Sequence, residues 1–438
     1  MPRQRLFGTD GVRGRANTEL TAQLAFDLGR AAGEGLAGSV LIGRDTRRSG
    51  PMLASALHAG FNSVGVDTVD LGIIPVGAVS RIARDAGGAY GVMVSASHNL
   101  AEDNGIKFLG PDGAKLPDQQ EAAIEARVIE GEPYRSPGGV AVGIQVQMQD
   151  AVSRYVDRLA AGFNYSLRGM EFVLDCANGA AFESAPQLLE RLGATVEVHA
   201  DVPDGTNIND GCGATHPEYL ASRVKGRIGL SFDGDADRLI AVDESGQPAN
   251  GDVLIAVFAK HLKEIGELKN DTVVTTVMAN LGFRRAMEGL GIEVLETKVG
   301  DRYVLEEMRR SRAELGGEQS GHIVLSDRST GDGLRSALQL AAVVAATGKP
   351  LTELRTVMTE YPQVLENVTV ADRVELEDAM KVWAAVEAAE SRLGDDGRVL
   401  VRASGTEPLV RVMVEAASAA AAQEVADELA AVVTNELS

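Results

Sequence analysis

The chain has 438 residues, too many for one ordinary domain, and a formal net charge of −21. Such an acidic balance excludes general binding to nucleic acid or to anionic membranes, which both need a basic surface, so an anionic substrate would need a local basic island. Hydrophobic residues make up 45% and aromatics 4%, with 49 glycines and no low-complexity tract, the composition of a soluble α/β protein. Cys176 and Cys212 are too few and too unpatterned for a disulfide framework or a zinc site, which suits a reducing cytoplasm. The longest uncharged apolar run, residues 337–347, is shorter than the ~18 residues a spanning helix needs. The amino terminus has basic residues but no apolar h-region, so no signal peptide is expected.

In chain order, residues 39–43 read as a strand, 43–50 as its turn and 51–61 as a helix. Residues 64–71, 90–94 and 106–109 supply further strands, and the alternation predicts βαβ units with a largely parallel sheet. Residues 131–139 read as a boundary loop. A second cycle opens at Phe172 and closes near Asp243, and a third runs from Thr272 to Leu325, which predicts three related α/β units. After Tyr361-Pro362 the composition shifts. An Ala-rich helix over 378–393, strands over 398–403 and 409–415, and a helix over 417–435 predict a compact αββα unit. The expected domains are 1–145, 146–250, 251–363 and 364–438, three α/β units with mixed sheets and a smaller α+β domain.

Residues 90–94 break into Ser95-Ala96-Ser97-His98-Asn99. In open α/β sheets reactive groups sit past the carboxyl ends of strands, and a hydroxyl beside an imidazole can be activated as a nucleophile. Ordinary turn residues are the alternative, and the rest of the chain must decide. Asp233-Gly234-Asp235-Ala236-Asp237-Arg238 places three carboxylates at alternate positions, hard oxygen ligands suited to Mg²⁺ or Ca²⁺. An EF-hand would also use Asp233, Asp235 and Asp237, with Glu244 at its last position. It needs glycine where Arg238 stands and helices where the flanks read as strands. A metal beside a phosphate is the better reading, since a divalent cation neutralises a transferring phosphoryl group.

Arg402-Ala403-Ser404-Gly405-Thr406, with Arg411 beyond, combines small residues, hydroxyls and guanidinium forks, an anion-binding pattern and one of the required basic islands. Gly316 to His322 sets Glu318, Gln319 and Ser320 between glycines, where they could meet sugar hydroxyls. Lys107, Lys298 and Arg13 read equally well as surface charges. His58, His199, His216 and His261 read as structural.

Taken together, these stretches resemble the α-D-phosphohexomutase superfamily, most closely its bacterial glucosamine-phosphate branch. Five motifs recur in order: Phe7 to Gly14, Ser95 to Asn99, Asp233 to Arg238, Gly317 to His322 and Arg402 to Pro408. The resemblance implies four domains around a central cleft, with Ser97, rather than Ser95, as the phosphorylated serine. Asp233, Asp235 and Asp237 would hold one Mg²⁺ with a phosphoserine oxygen. Glu318 and Ser320 would contact the sugar, and Arg402, Ser404, Gly405, Thr406 and Arg411 the unreacting phosphate. Arg13, Lys107, Arg238 and His322 would line the cleft, with Lys298 beside it, and Lys107, His98 and His322 are the candidates for proton transfer.

Gln319 and the Ser404 to Pro408 loop look like the glucosamine branch. The implied reaction is reversible conversion of glucosamine 6-phosphate to glucosamine 1-phosphate through a 1,6-bisphosphate. Glucosamine or glucose 1,6-bisphosphate would activate it, and the product would feed UDP-N-acetylglucosamine and cell-wall precursors. Its partner is a small amino-sugar phosphate, with room for a homodimer. A phosphoglucomutase or phosphomannomutase would use the same parts, and a non-catalytic sugar-phosphate binder is the rival from another class. Leu100 stands where the family usually has proline, which puts the rigidity of the serine loop in question.

Overall fold

A computed structural model describes residues 6–8, 10–87, 90–131, 134–326, 329–370, 373–404 and 409–437. Four sheets follow one another along the chain. The first joins β1 (Phe7–Gly8), β2 (Gly11–Arg15), β3 (Val40–Arg44), β4 (Thr68–Ile73), β5 (Tyr90–Val94), β6 (Asp103–Leu109) and β7 (Gln145–Gln147) in the order β1-β2-β6-β5-β3-β4-β7. It is half parallel, not largely so: β5, β3, β4 and β7 run parallel, but β5-β6, β6-β2 and β2-β1 are antiparallel. The cause is the serine segment. Residues 95–102 return the chain directly to β6, a link too short for the crossover that a parallel pair requires.

Leu28, Leu53, Leu57 and Phe61, from the helices Ala22–Gly33 and Gly50–Ser63, are buried in the core under this sheet. Burying each is worth about 1.5–3 kcal/mol. The two helices cross at Gly60, where a Cβ would stand 2.3 Å from the Phe26 carbonyl oxygen.

The second sheet contains β8 (Glu171–Asp175), β9 (Thr195–His199), β10 (Ile228–Phe232), β11 (Leu239–Val242) and β12 (Pro248–Ala249), ordered β12-β11-β10-β8-β9. Its antiparallel β10-β11 pair closes on Phe232↔Leu239, so the three aspartates occupy the hairpin turn between two strands. This excludes an EF-hand. Glu244, its would-be last ligand, instead accepts the amides of Leu351 and Thr352 at 2.8 and 2.9 Å. The third sheet orders β13 (Thr272–Thr276), β14 (Glu293–Thr297), β15 (Gly316–Gly317) and β16 (Ile323–Val324) as β14-β13-β15-β16.

The last sheet has three strands where the sequence predicts two. β17 (Gln363–Thr369) pairs antiparallel with β19 (Leu409–Ala416) along its whole length, and β18 (Gly397–Ala403) lies on the other side. Only Val368 of β17 is buried, so the alternation that marks a strand is weak there.

Contacts divide the chain into two compact units. One is Met1–Met278 with Ile292–Thr356, and the other is Ala279–Gly291 with Val357–Ser438. Among the described residues no helix is long and apolar enough to cross a membrane.

Candidate active site

Ser97 follows β5 with φ +52°, a left-handed conformation that costs a non-glycine residue roughly 1–3 kcal/mol and persists only when its surroundings hold it. Ser95 Oγ accepts the Ser97 amide at 2.9 Å and donates to Asp45 Oδ2 at 2.6 Å. The Arg47 guanidinium donates to the carbonyls of Ser97 (3.0 Å), Asn99 (2.7 Å) and Asp103 (3.1 Å), and also to that of Leu100. Its Nε meets Asp45 at 2.8 Å. From the second sheet's domain, Asn209 donates to the Ser97 and Asn99 carbonyls at 2.8 and 2.9 Å. Sequence reasoning took 43–50 as a plain turn and passed over Asp45, Arg47 and Asn209. The available signal was a run of charge at a strand end, Arg44-Asp45-Thr46-Arg47-Arg48.

So fastened, Ser97 is 1% exposed and its hydroxyl donates to Asp233 Oδ2 at 2.6 Å. The approach depends on Gly234, where a Cβ would lie 2.5 Å from the Ser97 carbonyl oxygen. Asp233, Asp235 and Asp237 are all buried, with one oxygen of each within 4.8 Å of the others. Burial, and then the Asp237 and Asp235 charges, push the Asp233 carboxyl well above its usual range. Burial and Asp237 raise Asp235 too, while Asp237 is held low against burial by Lys107 and His322.

Asp235 Oδ1 and Asp237 Oδ1 are buried and accept no hydrogen bond, which a native interior rarely tolerates. Three hard oxygen donors, two of them unsatisfied, fit a divalent cation.

Lys107, 2% exposed, reaches Asp235 at 2.8 Å, Asp10 at 3.1 Å and Asp237 at 3.5 Å. Burial opposes its charge, but Asp10, Asp235 and Asp237 raise its pKa well above the usual lysine value. Lys115, absent from the sequence reading, joins Asp10 to Asp301, the latter at 2.6 Å. Arg13 pairs with Asp10, and Arg238 lies 3.9 and 3.8 Å from Asp233 and Asp237.

The two histidines differ. His98 Nδ1 lies 3.4 Å from Ser97 Oγ, and burial with the Arg238 and Arg13 charges lowers its pKa to about 4. His322 sits between Asp237 (3.4 Å) and Asp301 (3.6 Å), and these carboxylates, with Glu318, lift it to about 9 against burial.

Glu318 accepts the Gly300 amide at 3.0 Å and adds its charge to the field at Arg238. Gln319 is half-buried, its carbonyl accepting the Gly251 amide at 3.0 Å, and Ser320 and Lys298 are exposed. In the second unit Arg402 and Arg411 stand directly opposite on β18 and β19, beside buried Ser404. Burial and the facing Arg411 lower the Arg402 pKa. Gly405 and Thr406 lie outside the described residues.

A strained serine held against an aspartate hairpin, with buried Lys107 and part-buried Arg13, Lys115 and Arg238 around it, is the chemistry of phosphoryl transfer, and the chain's relatives are phosphohexomutases. Four phosphoglucomutase/phosphomannomutase domain families match in order. They are α/β/α domain I at residues 4–135, domain II at 153–246, domain III at 250–361 and the C-terminal domain at 365–432. The fold is that of the phosphohexomutases. A Burkholderia thailandensis protein of the phosphoglucomutase/phosphomannomutase family aligns over 100% of this chain and 98% of its own, with TM-score 0.83 and 26% identity.

The phosphoglucosamine mutase of Desulforudis audaxviator is 52% identical over 98% of both chains. That of Desulforamulus reducens is 49% identical over 98% of this chain and 99% of its own. The chain belongs to the phosphoglucosamine mutase family.

Proposed function

We propose that this chain interconverts glucosamine 6-phosphate and glucosamine 1-phosphate, with Ser97 as the phosphoryl carrier. The carrying observation is the Ser97 hydroxyl, left-handed and buried, set 2.6 Å from Asp233 in a triad of carboxylates. Phosphorylated Ser97 gives its phosphoryl group to the free hydroxyl of the bound sugar phosphate. The Oγ–P bond breaks as the sugar O–P bond forms, and the 1,6-bisphosphate, once turned over, returns its other phosphoryl group to Oγ. Mg²⁺ held by Asp233, Asp235 and Asp237 would supply neutralisation of the transferring group's charge.

Lys107 remains charged beside the aspartates and steadies that group, and Arg13 and Arg238 add positive charge on the same side. His98, neutral at pH 7, can accept a proton from a sugar hydroxyl, and His322, with its raised pKa, can hold one. Glu318, Gln319, Ser320 and Lys298 contact the sugar, and Arg402, Ser404, Gly405, Thr406 and Arg411 grip the phosphate that is not reacting. We also assign the chain to the cytoplasm, with glucosamine or glucose 1,6-bisphosphate as activator.

Phosphopeptide mass spectrometry of active protein should place phosphate on Ser97, and Ser97→Ala should abolish turnover. Glucosamine 6-phosphate should be preferred over the glucose and mannose analogues in parallel assays. A fully active Ser97→Ala variant would sink the proposal.

A further inference from the structure

The aspartate turn is held from behind by the starts of three helices, one from each of the three α/β/α domains. Successive carbonyls of the turn each accept one amide: Gly234 from Ala180 at 2.8 Å, Asp235 from Val76 at 3.0 Å and Ala236 from Gly333 at 2.9 Å. Ala180 stands just before the helix Ala181–Arg191, Val76 opens Val76–Asp85 and Gly333 opens Gly333–Thr347. All three helices therefore present their positive ends to a turn that carries three carboxylates. Ala236 itself is held at φ +56°, a left-handed conformation that persists only where its surroundings fix it.

The helix Gly333–Thr347 makes the closest approach. A Cβ on Gly333 would stand 2.5 Å from the Arg238 carbonyl oxygen, and one on Gly331 would stand 2.7 Å from that of Asp237 and 2.5 Å from His322 Nε2. Between these two glycines lies Asp332, which is buried. Its Oδ1 accepts the Arg335 amide at 3.1 Å, capping the helix, and the Tyr155 hydroxyl at 2.7 Å, reaching across to the second domain. On the side of the first domain, Gly77 packs so closely that a Cβ there would lie 2.6 Å from Asp332 Oδ2, one residue past the amide that holds Asp235. Burial pushes the Asp332 carboxyl up, and the Arg335 charge, the Tyr155 hydroxyl and the Arg81 charge pull it back.

Asp332 thus joins all three domains at one buried carboxylate. Among the described residues none of its hydrogen bonds goes to Ser97 or to the three aspartates, so its hold on them runs through the backbone.

We propose that Asp332 is a positioning residue for the metal-binding turn. By fixing the start of its helix against Tyr155 and Gly77, it sets where the Gly333 amide holds Ala236, and with it the placing of the Asp235 and Asp237 carboxylates on either side. The inference rests on the assignment of a Mg²⁺ ion to Asp233, Asp235 and Asp237 and adds to it a residue outside all five sequence motifs.

Calorimetric titration of Mg²⁺ into the full chain, beside steady-state kinetics, tests it. Asp332→Ala should weaken Mg²⁺ by about ten-fold or more, as loss of a residue that orients metal ligands does, and should lower kcat with KM for glucosamine 6-phosphate unchanged. Asp332→Asn keeps an acceptor for both the Tyr155 hydroxyl and the Arg335 amide and caps a helix equally well, so it should recover most of the Mg²⁺ affinity although the charge is gone. An effect of charge through space would be lost in both variants alike. Tyr155→Phe removes one hydrogen bond and leaves the cap, so it should show a smaller loss of the same sign, and it carries the test if Asp332→Ala does not fold. Wild-type Mg²⁺ affinity in folded Asp332→Ala, or in Tyr155→Phe where the first does not fold, would overturn the inference. So would Asp332→Asn weakening Mg²⁺ as much as Asp332→Ala, or a raised KM with kcat unchanged. A wild-type chain that binds no Mg²⁺ would overturn the metal assignment, and this inference with it.

Discussion

A guanidinium carries its N–H donors in a rigid planar fork, and that of Arg47 serves four carbonyls around the serine loop and one carboxylate. A lysine ammonium is a single point and cannot reach them all. Arg47→Lys keeps the charge but strands buried carbonyls, so it should lose about 1–3 kcal/mol in denaturant unfolding and should lower both Ser97 phosphorylation and turnover. The same fork answers the question raised by Leu100. Leu100 is 51% exposed and its carbonyl is held by Arg47, so the loop is stiffened from inside without proline. Leu100→Pro should leave kcat unchanged and add no more than about 1 kcal/mol of stability. The serine segment and the aspartate run were legible because each is continuous in sequence, whereas the choice of Ser97 over Ser95 came only from the family resemblance. Arg47 and Asn209 were not legible, because each acts 50 or more residues away on backbone atoms that no motif encodes. The cysteines follow simpler physics. Burial pushes the Cys212 thiol up to about 12 and raises Cys176 well above its usual value, so almost no thiolate exists at pH 8. Ellman's reagent should titrate neither in the folded chain and both in guanidinium.

Elements decide what a motif can do. The aspartate run could be read as an EF-hand until the strands on either side, β10 and β11, close it into a hairpin whose turn faces Ser97. The strands themselves were legible from their apolar runs, and the antiparallel return of β6 was legible too, in a link after β5 too short for a crossover, but the alternation of strands and helices elsewhere hid it. A comparable argument applies to Arg402 and Arg411. Like charges directly opposite on neighbouring strands repel by roughly 0.2–1 kcal/mol, a cost that an anion between them would remove. Arg411→Ala removes that repulsion. It should raise KM for the sugar phosphate more than it lowers kcat, the signature of lost ground-state binding, as steady-state kinetics would show.

At the scale of the whole molecule, the second compact unit takes in a helix that precedes it in sequence by some seventy residues. Leu281–Gly289 follows β13, yet its contacts are with residues beyond 357. Asn280 donates to the Tyr361 carbonyl at 2.9 Å and to Glu415 at 3.2 Å, and the Leu281 amide donates to Glu415 at 3.0 Å. Arg398 completes the cluster, meeting Glu415 at 3.0 Å and the Ala279 carbonyl at 2.9 Å. The third-sheet domain's sequence pattern runs straight through this helix, so composition gives no sign that its packing partner lies elsewhere. Glu415 is fully buried and joins Asn280, Leu281 and Arg398. Glu415→Ala would leave the part-buried Arg398 guanidinium without its carboxylate, a loss of about 1.5–3 kcal/mol. Hydrogen exchange of the full chain should then speed up together in 281–289 and in β17 to β19, while the amides of β3, β5 and β8 keep their protection. If 281–289 instead kept the exchange rates of β13 and β14, the helix would belong energetically to the unit that precedes it in sequence, and the contact division would not describe how the molecule opens.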